Sequence, residues 1–116
     1  MTKIIYYTTN KENNPVDEFL NSLSERQQRK ILRILSNIKT YGLNSAIPHI
    51  KKLAGTTLWE IRVLGNDNIR VLYASFLSES VILLHGFIKK TQQTPKREIE
   101  TASNRLSEWL NRKIKS

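Results

Sequence analysis

The sequence predicts an α+β domain with a small antiparallel sheet, in the order strand, helix, helix, three-stranded meander, helix. Three observations predict it. The stretch LWEIRVLGNDNIRVLYASFLSESVILLHGFIKK (58–90) divides into three runs rich in β-branched and aromatic residues, separated by two clusters of turn formers. Residues 15–41 instead repeat apolar side chains at helical spacing, as do the residues after Thr94. The length, 116 residues, suits a single domain spanning 1–116, and such a chain buries roughly two-thirds of its unfolded surface, enough for an ordinary core.

Each element has a local cause. Lys3 to Thr8 (KIIYYT) is β-branched and aromatic, as a first strand requires. Asn14-Pro15 reads as an N-cap followed by proline at the first helical position, and Val16, Phe19, Leu20 and Leu23 form the apolar stripe of a short helix over 15–23. Ser24 with Gln27 resembles a capping box opening a second helix over 25–41, with Ile31, Leu35 and Ile38 inward and Gly42 as its stop. Pro48 breaks any helix in 43–57, where Ile50 to Leu53 suggests a short edge strand. Strands are expected at 58–64, 69–76 and 80–89, joined by Gly65-Asn66-Asp67-Asn68 and Leu77-Ser78-Glu79-Ser80. Thr94-Pro95 repeats the capping signature, and Ile99, Ala102, Leu106, Trp109 and Leu110 line one side of a last helix whose final residues, NRKIKS, are expected to fray. Helices are expected over one sheet face, with part of the other open to a ligand.

Charge narrows the function. Lys and Arg number 19 against 10 acidic residues, a formal charge of +9, with a pI near 10.0. For one domain that points to a polyanion, nucleic acid first, with an anionic membrane surface or an acidic protein as the alternatives. With no cysteine, disulfides, thiolate metal sites and a cysteine nucleophile are excluded. The N-terminal apolar run is too short for a signal peptide, and the longest run elsewhere is Val81 to Leu84, so no membrane span and a cytoplasmic location are expected.

Alternation puts Glu60 and Arg62 on one face of their strand with Leu58 and Leu64, opposite the wholly apolar Trp59, Ile61 and Val63. Arg62 is therefore expected on the open face, either as a surface pair with Glu60 or as an anion ligand. Arg70 alternates with Leu72 and Ala74, so a hairpin could bring Arg62 and Arg70 together, and two close cations favour an anion between them. Lys89, Lys90 and Thr91 precede the last helix, whose N-terminus adds partial positive charge; Lys51 and Lys52 extend the same surface. Arg26, Arg29, Lys30 and Arg33 share one face of the second helix, either solvated or touching RNA or a partner. His85 is either a packed strand histidine or an acid–base group, and Tyr73 either packing or a proton-transfer group. Glu98 and Glu100 suit a helix N-terminus and do not resemble paired catalytic carboxylates. Neither the two histidines nor any motif suggests a metal or cofactor.

The series Lys51-Lys52-Leu53, Leu58-Trp59-Glu60-Ile61-Arg62, Arg70-Val71-Leu72-Tyr73, Leu83 to Thr91 (LLHGFIKKT) and Thr94-Pro95 resembles the phage-derived Gp49-like/HigB branch of the RelE/ParE toxin superfamily, over most of the chain. The resemblance implies a RelE-like fold and a type II toxin held by a separate helix-turn-helix antitoxin. It further implies a ribosome-dependent endoribonuclease that cuts messenger RNA without metal or cofactor. It would give charge stabilisation to Arg62, Arg70, Lys89 and Lys90, and RNA binding to Lys51, Lys52 and Thr91. Where several members use a C-terminal tyrosine or a histidine–aspartate set, this chain has no tyrosine after Tyr73 and no aspartate after Asp67. The base and acid stay open among His85, Tyr73 and a lysine. A ParE-like gyrase inhibitor on the same fold, and a non-catalytic nucleic-acid or protein-binding module, are the alternative functions.

Overall fold

Five strands form one mixed sheet in the order β1-β5-β4-β3-β2. The computed structural model describes the chain except Met1, Leu64, Asn66, Ser78 and Ser116, and the side chain of Lys115. The strands are β1 (Lys3–Tyr6), β2 (Ile50–Lys52), β3 (Trp59–Arg62), β4 (Ile69–Phe76) and β5 (Ser80–Ile88); the helices are α1 (Pro15–Asn21), α2 (Glu25–Tyr41) and α3 (Lys96–Lys115), with a 3-10 segment at Leu43–His49. The meander β3–β4–β5 is antiparallel as expected, and β2 is the short edge strand. β1 pairs parallel to β5, from Lys3 opposite Ser80 to Tyr6 opposite Leu83, so the sheet is mixed rather than wholly antiparallel. The crossover through α1 and α2 supplies the length that a parallel pairing needs.

The caps form as their chemistry dictates. Asn14 accepts from the Asp17 N–H at 3.1 Å, and Ser24 and Gln27 close a reciprocal capping box at 3.2 and 3.0 Å. Gly42 ends α2 at φ 88°. In the first hairpin turn Gly65 (φ 109°) and Asn68 (φ 55°) take the left-handed region; Leu64, Asn66 and the second turn's Ser78 lie outside the described residues. Thr94 is not a cap: its hydroxyl goes to a sheet residue, and the Pro95 carbonyl accepts the first helical bonds of α3, from the Glu98 and Ile99 N–H groups. α3 then runs to Lys115; Ser116, the last residue of the stretch expected to fray, lies outside the described residues.

Helices pack on both sheet faces, where they were expected over one face with part of the other open. Val16, Leu20, Ile31, Leu35 and Ile38 of α1 and α2 pack on Ile61, Val71, Tyr73 and Leu83. On the other side Ala102 and Trp109 of α3 pack on Leu58, Leu72, Ala74, Ile82 and Leu84. The two clusters follow strand alternation except at one point. Leu72 faces His85 while Tyr73 faces Leu83, so Leu84 is an extra residue in β5. This bulge lets Leu84 and His85 both serve the α3 side.

Gly86, next along β5, faces α1, and a Cβ there would stand 2.3 and 2.8 Å from ring carbons of Phe19. Gly86→Ala therefore overpacks the α1 contact and should cost about 1–3 kcal/mol in urea denaturation, with part regained in a Phe19→Leu background. An unchanged midpoint would mean that α1 is free to move off the sheet.

Candidate anion-binding site

The site begins with a register. β3 and β4 place Arg62 directly opposite Arg70, and β5 places Phe87 opposite Arg70. Arg62, Arg70 and Phe87 thus form one row on the α3 side, with Phe87 buried in the same cluster as Ala102 and Trp109. One row inward lie Lys51, Glu60, Leu72 and His85. One row outward, the Lys89 N–H donates to the Asn68 carbonyl at 2.8 Å, continuing the ladder. Arg70, Lys89, Lys90, Thr91, Asn68 and Gln92 line a depression of about 440 Å³. Five residues singled out from the sequence, Arg62, Arg70, Lys89, Lys90 and Thr91, are therefore brought to one end of the sheet.

Beneath them is Glu60, 1% exposed and the one buried charged residue among those described. Its Oε1 is 3.4 Å from Arg70 Nε, and its Oε2 accepts from the Thr94 hydroxyl at 2.6 Å. Glu60 pairs with Arg70 rather than with its strand neighbour Arg62. Among the described residues no carboxylate lies within ion-pair distance of Arg62, and the Nε atoms of both Arg62 and Arg70 are buried without a hydrogen-bond partner. Burial pushes the Arg70 guanidinium below the usual arginine range; Glu60 opposes that shift and Arg62 adds to it. One carboxylate thus stands against two arginines, with Lys89 and Lys90 beside them, and the local excess of positive charge suits a phosphate.

His85 has a partner on each ring nitrogen. Nε2 is 2.9 Å from Glu98 Oε1, and Nδ1 is 3.2 Å from Arg105, which also donates to the Leu84 carbonyl at 2.8 Å. A guanidinium can only donate, so Nδ1 accepts and the ring proton sits on Nε2, toward Glu98. His85 stacks on Phe87 at 5.5 Å and links the sheet to α3. Sequence reasoning missed Glu98 because its place in the first turn of a helix already accounted for it. Tyr73 is not brought to the site: it is 1% exposed on the α1–α2 face, stacked with Trp59, and burial pushes its hydroxyl up to about 12.

Two further groups separate. Lys51 shares the Glu60 face, whereas Lys52 faces Trp59 and its ammonium donates to the Thr56 carbonyl. Arg26, Arg29, Lys30 and Arg33 line a different groove of about 370 Å³, with His49, floored by Ile34 and Val63 on the α2 side of the sheet. There Asp67, from the β3–β4 turn, bonds Lys30 at 2.6 Å, Arg26 at 3.0 Å and Gln27 at 3.3 Å. The Lys30 bond, helped by Gln27 and Arg26 against the cost of burial, holds the Asp67 carboxyl below its usual 3.8. Among the described residues no group of three or more histidines and carboxylates could hold a metal, and no helix is long and apolar enough to cross a membrane.

The sign of the Asp67 shift fixes a pH dependence. A carboxyl lowered by folding stabilises fully above its unfolded value, and the stabilisation is lost as pH falls through the lower folded value. The difference in urea midpoint between wild type and Asp67→Asn should be full near pH 7 and shrink below pH 3.8. A constant difference would show that the charge of Asp67 does not tie α2 to the turn.

Residues 18–107 match the model of the family "Phage derived protein Gp49-like (DUF891)". A comparison with curated proteins gave no match. The family is part of the RelE-like toxin superfamily and is commonly the toxin type of toxin–antitoxin pairs. The chain belongs to the Gp49-like family.

Proposed function

We propose that this member of the Gp49-like family is the toxin of a type II pair and acts in the cytoplasm as an endoribonuclease on messenger RNA held by the ribosome. A helix-turn-helix antitoxin would restrain it. The observation that supports this reading is that Arg70, Lys89 and Lys90 line one depression and Arg62 stands directly opposite Arg70, which leaves a local excess of positive charge. In the reaction, the ribose 2′-oxygen attacks the adjacent phosphorus as its proton leaves. The P–O5′ bond breaks, and the 5′-oxygen takes up a proton. The products are a 2′,3′-cyclic phosphate and a 5′-hydroxyl. Charge builds on the non-bridging oxygens of the phosphorane, where fixed guanidinium and ammonium groups stabilise it most.

Arg62, Arg70, Lys89 and Lys90 take that stabilising role, and Thr91 and Lys51 hold the flanking backbone. Orientation and charge stabilisation carry most of the rate. His85 acts in acid–base exchange only after Arg105 leaves Nδ1, and Tyr73, on the far face, takes no part. The α2 groove contacts RNA or the partner away from the scissile phosphate.

The test is expression in translating cells with mapping of the 5′ ends of cut messages. Arg62→Ala should lower cleavage about ten- to a thousandfold while the fold is kept. Arg70→Ala is a poor control, because it strands the buried Glu60 and should cost about 3–5 kcal/mol of stability. Arg70→Lys keeps the charge, and its cleavage should also fall. Cleavage untouched by Arg62→Ala and Arg70→Lys would eliminate the site. Intact messages with DNA-damage signalling would point to gyrase inhibition, and RNA binding of steep salt dependence without cutting to a binding module.

A further inference from the structure

A buried carboxylate under a cationic site needs a reason. Glu60 is 1% exposed and lies outside the set of side chains that line the depression, so it does not face a ligand there. If charge balance were its only task, a position nearer solvent would do it with less desolvation. Its two oxygens instead point in two structural directions. One meets the Nε edge of Arg70; the other accepts the hydroxyl of Thr94, at the end of the loop that carries Lys89 and Lys90.

We propose that Glu60 and Thr94 are the positioning residues of the anion site, fixing the arginine of the sheet and the lysines of the loop relative to each other through one carboxylate. The proposal rests on the reading of the depression as a phosphate site and adds to it the group that sets its geometry. The remaining contacts agree. One terminal nitrogen of Arg70 donates to the Ile69 carbonyl at 3.0 Å. With Nε in ion-pair range of Glu60 at 3.4 Å but not hydrogen-bonded to it, the other terminal nitrogen is the part of the fork left for an anion. The Thr91 hydroxyl donates to the Gln93 carbonyl at 2.6 Å, so the loop is closed on itself just before Thr94 clamps it. Thr94 is thus held to the sheet by a bond spanning 34 residues, in place of the capping bond its sequence context suggested.

Positioning and charge balance predict opposite signs. Removing a negative charge beside two arginines strengthens anion binding if Glu60 only offsets charge, and weakens it if Glu60 holds the donors in place. The experiment titrates inorganic phosphate into the full chain and follows the Arg70 Nε–H and the Lys89–Thr91 amide signals by NMR. Glu60→Gln should weaken phosphate binding about tenfold, Thr94→Val should do the same, and Thr94→Ser should return to within about twofold of wild type. Equal or tighter binding in Glu60→Gln would overturn the proposal. If that variant does not fold, the Thr94→Val and Thr94→Ser pair decides alone, and equal affinity in the two overturns it. A wild-type chain whose Arg70 signal ignores phosphate would instead refute the anion site itself.

Discussion

Pairing Arg62 with Arg70 across an antiparallel ladder puts like charges where cross-strand side chains lie closest. Hydrophobic packing holds that register, because slipping β3 by one residue would turn Ile61 and Val63 away from the α1–α2 core. The core therefore imposes a cationic pair on the sheet end, and the repulsion must be met locally. Glu60 meets part of it from below. Strand geometry, the buried carboxylate and the free cations are consequences of one another. This is why the site belongs to the sheet rather than to a surface loop.

How much of this was legible in the sequence follows from which signals are local. Caps are local, so Asn14, Ser24 with Gln27, and Gly42 could be read directly. Alternation is local too, and it placed Arg62 and Arg70 on one face with the correct pairing. What alternation cannot say is what covers that face. Helices were expected over one face only, but α3 returns over β4 and β5, a long-range choice that its amphipathic stripe permits but does not specify. β1 was recognised as a strand, but its parallel partner depends on the crossover. The bulge at Leu84 has no sequence signature here, and it brings His85 to Glu98 and Arg105.

The same logic explains the mixed outcome for the candidate residues. Those that share a row or a strand end converged: Arg62, Arg70, Lys89, Lys90 and Thr91. Others lie elsewhere. Tyr73 alternates onto the opposite face and is spent on the core, while the basic stripe of α2 builds its own groove on that side and is partly neutralised by Asp67. Thr94 was read as a capping residue, but its hydroxyl goes to Glu60. Two cationic surfaces thus lie on opposite sides of one sheet.

The central claim is that rigid cations at the sheet end stabilise a phosphorane formed by the ribose hydroxyl. The chemical identity of the cut ends tests it most directly. Messages cut by the purified chain on translating ribosomes should carry a 2′,3′-cyclic phosphate upstream and a 5′-hydroxyl downstream. Ends bearing a 5′-phosphate, or messages left whole, would contradict the account.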